Sequence, residues 1–591
     1  MRTLSLTTLF CFILYGVCVA QTQTGSSTEP EATEAISLLS ASQAAKARGE
    51  PISGSEWMVA AANPLAVFAG AQILSEGGTA ADAMVAVQTT LGLVEPQSSG
   101  LGGGAFLVWY DAATGAVTTL DGRETAPLAV TPRLFQNDAG EPLGFWDAVV
   151  GGRSVGTPGT PALMEAAHRR WGKANWGRLF AYAISQAENG FRVSPRLAGQ
   201  VARDAERLSV FPQTAAYFLP GGAPVAEGEL LVNRPYAETL KRMADGGSQT
   251  FYTGQTGESI ISAVRGAAGN PGVLSATDLA IYEVKERPAV CGAYRGHAVC
   301  GMGPPSSGGL TVAQILGIIE PYDLAALGPE NPETWRLLGD ASRLAFADRG
   351  RYMADSDFVP VPVEGLIEPG YLASRSGLLN TDSALDDVAP GKPEFDHALN
   401  WADDASIEFP STSHISIVDG FGNALSMTTT IENGFGSRLM TSTGFLLNNE
   451  LTDFSFRSHA GGVPIANRVE PGKRPRSSMA PTIILQDNKP VLVIGSPGGS
   501  RIIGYVAQSI IAHIDWSMDV QAAVSMPHAI NRFGTFDLEE GTNAADLAPQ
   551  LSEMGFEVNL RALTSGLHAI SIGTELLGGA DPRREGIALG N

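Results

Sequence analysis

The chain has 591 residues, 44% hydrophobic and 17% charged, with a formal net charge of −22. That length supports large cores and more than one structural unit, and the composition is that of a soluble globular protein. The acidity argues against nucleic acid and anionic membrane surfaces as partners, since both favour basic patches.

Met1-Arg2 followed by Leu9-Phe10-Cys11-Phe12-Ile13-Leu14 reads as a secretory signal peptide over residues 1–20. The small residues of Val17-Cys18-Val19-Ala20 place cleavage after Ala20. The apolar run is short for a membrane span, and a membrane-anchored leader is the alternative. Residues 21–54, rich in Ser, Thr, Glu and Ala, read as a mobile or weakly helical lead-in. From Trp57 to Leu93 the periodicity predicts helix, interrupted at Gly77-Gly78. Gly100 to Gly104 lead into a predicted strand, Ala105 to Tyr110, and a second strand from Ala116 to Leu120 delivers Asp121-Gly122-Arg123-Glu124. No Lys-Ser/Thr follows these glycines, so they are not a nucleotide loop. Arg123 at a strand end can fork onto a carboxylate, or pair with Asp121 or Glu124 as scaffold.

Residues 152–284 read as mostly helical scaffold. With the leader removed, only Cys291 and Cys300 remain, flanking a predicted hairpin with Arg295-Gly296 at its tip. Counting outward from that turn places the two cysteines opposite each other, within reach of a disulfide; two reduced buried cysteines are the alternative. Neither is in a catalytic or zinc-ligand pattern, and no metal or cofactor is implied. Pro304 to Leu310 form a helix-opening turn, and Phe346-Ala347-Asp348-Arg349 lie at the end of another helix. Leu379 to Pro410 carry eight acidic residues with prolines and little periodicity, which predicts an exposed, adaptable segment.

Thr412 ends that segment and opens an alternating strand, His414 to Asp419, followed by Gly420-Phe421-Gly422 and a returning strand, Ala424 to Ile431. A three-residue loop pairs Thr430 with Thr412; a loop one residue longer pairs Ile431 with it. Two hydroxyls side by side at a strand start suit an N-terminal threonine nucleophile, although Thr and Ser are also ordinary strand residues. Further on, a buried-type strand, Pro490 to Ile494, turns through Gly495-Ser496-Pro497-Gly498-Gly499-Ser500 into a helix with Ile502, Ile503, Val506 and Ile510 on one face. Such a turn exposes backbone N–H groups at a helix start, where an oxyanion can be held, or is simply a turn.

Thr412-Ser413-His414-Ile415-Ser416-Ile417-Val418-Asp419 with Gly422-Asn423-Ala424 resembles the start of the small subunit of the γ-glutamyltransferases (γ-glutamyltranspeptidases), which are N-terminal nucleophile hydrolases. The resemblance recurs at Leu447 to Phe454, Lys473 to Thr482 and Gly495 to Ser500, and covers the chain from about Trp57 to its end. It implies an α+β fold, a four-layer αββα sandwich, with a large subunit over 55–411 and a small catalytic subunit over 412–591 sharing one core. It implies chain cleavage between Ser411 and Thr412, with Thr412 as nucleophile, Thr430 beside it and Gly498-Gly499 as oxyanion hole. Arg123, Ser477 and Ser478 fall around a substrate α-carboxylate, and Glu432, Glu450 and Asp453 around its α-ammonium. The implied substrates are glutathione and other γ-glutamyl donors, with amino acids, peptides or water as acceptors, in a secreted or periplasmic protein.

Two departures bear on specificity. Many members have Asn and Gln where this chain has Glu432 and Glu450, an acidic pair resembling some Gram-positive enzymes. Residues 455–472 lack the tyrosine of the covering loop and instead resemble the glutaryl-7-aminocephalosporanic acid acylase branch. A β-lactam side-chain acylase is therefore the same-class alternative, and a non-catalytic periplasmic binding protein the alternative of another class.

Overall fold

The computed structural model describes residues 28–397, 400–404, 406 and 408–591. The predicted signal peptide and its cleavage after Ala20 lie outside the described residues. Among those described, no helix is long and apolar enough to cross a membrane.

Two seven-stranded antiparallel sheets carry the fold. The first runs, edge to edge, Lys285–Pro288, Val117–Gly122, Gly104–Tyr110, Ala424–Thr430, Ser413–Val418, Met58–Ala61 and Ile587–Gly590. The second runs Ile52–Gly54, Leu576–Ala580, His568–Ile572, Lys489–Gly495, Thr482–Gln486, His297–Gly301 and Val290–Tyr294.

Period-two alternation sends each strand's side chains to opposite faces, and the apolar clusters therefore sort into layers. Met58, Ala60, Val108 and Val418 of the first sheet meet Ile483, Val493 and Ile570 of the second between the sheets. Their neighbours Val59, Ala61, Leu107, Trp109, Ile415 and Ile417 face the helices Pro64–Ser75, Ala80–Val94 and Thr160–Trp171. On the far side, Ile484, Leu492 and Ile494 pack under Gly308–Ile319, Pro332–Tyr352 and Ile502–Ile514. Helices, sheet, sheet and helices give the four layers that the resemblance implies.

The helix reading from Trp57 is corrected at its start, because Met58–Ala61 is a strand and the helix begins at Pro64. All four strand residues are buried, clasped between Ser413–Val418 and Ile587–Gly590. A strand covered on both faces loses its alternation, and periodicity cannot tell a short apolar run of this kind from helix. Asn63 then caps the helix by accepting from Leu65 N, with Pro64 at its first position. In the lead-in, Thr28–Ala47 is helical, with Ser42 Oγ donating to Ala588 O and Lys46 Nζ to Gly586 O. The cysteine hairpin has the counted register: Tyr294 pairs with His297, and Cys291 with Cys300 in a disulfide.

Candidate active site

The hairpin loop settles the register at Thr412. Asp419 N donates to Asn423 O, and Asp419 Oδ1 accepts from the backbone N–H of Phe421 and Asn423, each at 3.0 Å. Gly422 takes the left-handed conformation at φ +83°, which a three-residue loop of this kind requires. Ser413 consequently pairs with Thr429, and one step further Thr412 Oγ1 lies 3.0 Å from Thr430 Oγ1. The Thr430 hydroxyl also accepts from Glu432 N–H at 2.9 Å.

Thr412 itself has φ +83°. For a β-branched residue this is a true outlier, held only where the surroundings over-determine it. Those surroundings are visible: Ser411 Oγ donates to Gln97 O at 2.9 Å, and Arg584 Nη1 donates to Thr412 O at 2.9 Å. The strained torsion is the one next to the Ser411–Thr412 peptide bond.

Gly499 lines the pocket in front of Thr412, while Gly498, at φ +141°, sits one step back against the Tyr505 ring. Gly499 has φ +60° and leads through a short 3₁₀ turn into the helix Ile502–Ile514. A Cβ there would lie 2.5 Å from Glu408 O and 2.7 Å from Phe409 C. The next residue, Ser500, donates its N–H to Glu408 O at 3.2 Å. In the uncut chain the glycine turn is therefore covered by the residues just before the Ser411–Thr412 bond.

The residues expected around a substrate converge on the same pocket. Arg123, Glu432, Glu450, Asp453, Ser477 and Ser478 all line it with Thr412 and Thr430. Arg123 does not use Asp121 or Glu124 as its side-chain partner. Its guanidinium pairs with Glu450 and, at 2.5 Å, with Asp453, and also donates to Pro475 O and Arg476 O. Asp121 instead accepts from Arg123 N and pairs with Arg287. Glu432 takes the Asn449 amide and the Phe409 N–H.

Burial, the largest influence, holds the Glu432, Glu450 and Asp453 carboxyls well above the usual range, against the pull of Arg123 on the last two. Burial also pushes neighbouring Glu124 up to about 8. The pocket wall thus sets the Arg123 guanidinium beside three carboxyls that burial biases towards the protonated form, and an ammonium entering it would favour their charged form.

Ser477 and Ser478 are fixed from below by the Pro304–Gly309 turn. Ser307 donates both N–H and Oγ to Ser477 O, and Ser306 Oγ donates to Met479 O. Ser478 Oγ donates to Glu408 Oε2 at 2.9 Å and accepts from Arg349 Nη2 at 2.8 Å.

The acidic run before Thr412 is not exposed throughout, which corrects the compositional reading. Trp401, Asp404 and Glu408 are buried, with Asp404 paired to Arg476 and Glu408 to Arg349. Burial alone would raise the Glu408 carboxyl, but Arg349 and Arg476 outweigh it and hold it below its ordinary value. Arg349, Arg476, Arg584 and Asn449 were not singled out as site residues. The partners of the three arginines lie far away in sequence (Arg349 and Glu408 are 59 residues apart), so no local pattern marks them.

A family model described as gamma-glutamyltranspeptidase matches residues 66–591. The chain is 37% identical over 551 residues to the glutathione hydrolase proenzyme of Bacillus subtilis (strain 168), covering 91% of this chain and 92% of that one. It belongs to the γ-glutamyltranspeptidase family. Within the same range of similarity, it is 34% identical over 547 residues to the acylase ACY 1 proenzyme of Pseudomonas sp. (strain SE83), covering 91% and 94% of the two chains. Among solved structures, cephalosporin acylase from Bacillus halodurans matches with a TM-score of 0.81 at 25% identity, over 92% of this chain and 97% of that one. The four-layer sandwich described above is accordingly the N-terminal nucleophile hydrolase fold. Family members named as glutathione hydrolases and as acylases share it.

Proposed function

We propose that the chain is a secreted or periplasmic, self-cleaving γ-glutamyltransferase and glutathione hydrolase. The observation that carries the reading is the pairing of Thr412 Oγ1 with Thr430 Oγ1 at 3.0 Å, beside a strained Thr412 backbone and in front of the Gly499 turn. Thr412 Oγ attacks the Ser411 carbonyl, the peptide bond becomes an ester as the amine leaves, and water opens the ester. Two subunits result, 55–411 after the lead-in and 412–591, and Thr412 gains a free α-amine. That amine titrates near pH 7.7–8.0, so a substantial fraction is neutral at physiological pH and takes the hydroxyl proton. In turnover the same oxygen accepts the γ-glutamyl group as an ester. An amino acid, a peptide or water then removes it.

The N–H groups of the Gly498-Gly499 turn hold the oxyanion once residues 408–411 no longer cover them. Arg123, Ser477 and Ser478 receive the α-carboxylate, and Glu432, Glu450 and Asp453 the α-ammonium. The Cys291–Cys300 disulfide supports an exported protein, since disulfides persist in oxidising compartments.

A second reading is supported by the similarity to an acylase and a cephalosporin acylase, together with the missing tyrosine in residues 455–472. In that reading the donor is a glutaryl amide with no α-ammonium. The two are separated by comparing kcat/KM for γ-glutamyl-p-nitroanilide and glutaryl-p-nitroanilide; the first reading expects the γ-glutamyl donor to be faster. One intact band on a denaturing gel, in wild type as in Thr412→Ala, would favour a binding protein instead.

A further inference from the structure

Arg584 is a buried cation, 5% exposed, without an anion of its own. Among the described residues no carboxylate comes within ion-pair distance of its guanidinium; neighbouring Arg583 takes Asp581 and Glu539 instead. Nη1 donates to Thr412 O at 2.9 Å, Nη2 reaches Thr564 O at 3.5 Å, and Nε finds no acceptor among the described residues. Gly566 leaves room for the side chain, since a Cβ there would lie 2.6 Å from Arg584 Cδ. Lys46 Nζ holds the backbone by donating to Arg584 O at 2.5 Å. A guanidinium taken out of water without a counter-ion is costly, and the fold aims this one at the residue whose nitrogen the proposed cut frees.

We propose that Arg584 is a positioning residue of turnover: its charge, held against the Thr412 carbonyl, favours the neutral form of the α-amine that the cut exposes. This deepens the proposed function and rests on cutting between Ser411 and Thr412. Covalent geometry keeps a residue's own nitrogen and carbonyl oxygen within about 3.6 Å, so the amine lies no further than about 6.5 Å from Nη1. A unit charge at that range lowers an amine by about 0.5 to 2 pH units, between the screening of water and that of a protein surface. The neutral amine takes the Thr412 Oγ proton as the oxygen bonds to the donor's γ-carbonyl carbon, and passes it to the nitrogen that leaves.

The other charges around Thr412 leave this cation in place. Behind it, Glu95 accepts from Ser413 Oγ and pairs with Arg196 at 3.4 Å, and Glu585 accepts from Arg196 N. Burial raises the Glu95 carboxyl, as it does those of Glu432, Glu450 and Asp453 across the pocket beside Arg123. Glu408 is paired with Arg349, and in the proposed function it moves off with the new Ser411 carboxylate when residues 408–411 uncover the glycine turn. Burial lowers His414 to about 3 and His568 well below its usual value, so both are uncharged. Lys46, lowered to about 8 by burial, adds a more distant cation behind Arg584. Burial lowers Arg584 itself to about 9, so it stays charged while the amine titrates.

The test is kcat/KM for γ-glutamyl-p-nitroanilide against pH, on the purified, cut protein. Arg584→Gln and Arg584→Met are expected to move the acidic limb up by about 0.5 to 2 pH units, a loss of about 3- to 100-fold below the limb that shrinks as pH rises past it. Arg584→Lys keeps a cation and is expected to hold the limb near its wild-type position. An unmoved limb with one loss factor at every pH, or a limb that moves as far in Arg584→Lys, would make Arg584 a structural clamp and overturn the proposal, leaving the Thr412 reading intact. Failure of both neutral variants to be cut would assign Arg584 to the cut, where that nitrogen is still an amide, and would overturn it too. An uncut, inactive wild type would end the Thr412 reading and this one together.

Discussion

At the scale of single residues, the proposed chemistry depends on one oxygen and one nitrogen of Thr412. Thr412→Ala removes the oxygen and is expected to give one uncut band and no turnover, while Thr412→Ser retains cutting with reduced rate. The uncut Thr412→Ala chain also permits a titration of the carboxyl wall. Glu124 is pushed up to about 8 from 4.5, chiefly by burial, and Glu432, Glu450 and Asp453 are raised in the same direction. An acid whose folded pKa exceeds its unfolded value binds its proton more tightly when folded. Its contribution is full below about pH 4.5, erodes as pH rises, and is gone above about 8. The thermal midpoint of Thr412→Ala should therefore fall across that window, and adding Glu124→Gln should make the fall shallower. Parallel curves for the two proteins would mean that Glu124 does not titrate there.

At the scale of elements, the glycine turn and the Thr412 hairpin place the site. Gly499→Ala must either hold an alanine at φ +60°, at a cost of about 1–2 kcal/mol, or rotate the N–H groups away from the pocket. Its Cβ would also meet Glu408 O in the uncut chain. Slow cutting, seen as uncut chain persisting after purification, is expected, with kcat reduced by up to about 10²–10³, the effect of one lost oxyanion donor. Cutting and turnover at wild-type rates would remove Gly499 from that role. What was legible in the sequence at this scale was local. The Gly420–Gly422 count left Thr430 or Ile431 against Thr412, and the loop geometry decides for Thr430; the Arg295-Gly296 tip placed Cys291 against Cys300, and the helix after Ser500 followed from the spacing of its apolar residues. Met58–Ala61 was misread because burial on both faces erases alternation. Glu408 was read as solvated because composition reports an average over a segment, whereas its burial depends on Arg349 and Arg476 from two distant elements. The resemblance named Arg123, but its pairing with Glu450 and Asp453 follows from packing more than 300 residues apart.

At the scale of the whole molecule, the position of the proposed cut at Ser411–Thr412 decides how a cut protein would behave. Strands from the two sides of that bond pair with one another in both sheets. Gly104–Tyr110 pairs with Ala424–Thr430, and Met58–Ala61 sits between Ser413–Val418 and Ile587–Gly590. In the second sheet His297–Gly301 pairs with Thr482–Gln486, and Ile52–Gly54 with Leu576–Ala580. Separating the pieces would strip partners from each of these strands and open the apolar layer between the sheets, leaving unpaired edges and exposed core. Little of that cohesion depends on surface ion pairs, so salt should not weaken it. The cut protein is therefore expected to give two bands on a denaturing gel. In gel filtration it should elute as one particle of full mass, unchanged at about 1 M NaCl, where the Debye length is about 3 Å. Concentrated urea or guanidinium should be needed to part the pieces, and they should part in the same transition that abolishes the tertiary signal. Release of the smaller piece by salt alone would show that the two do not share a core.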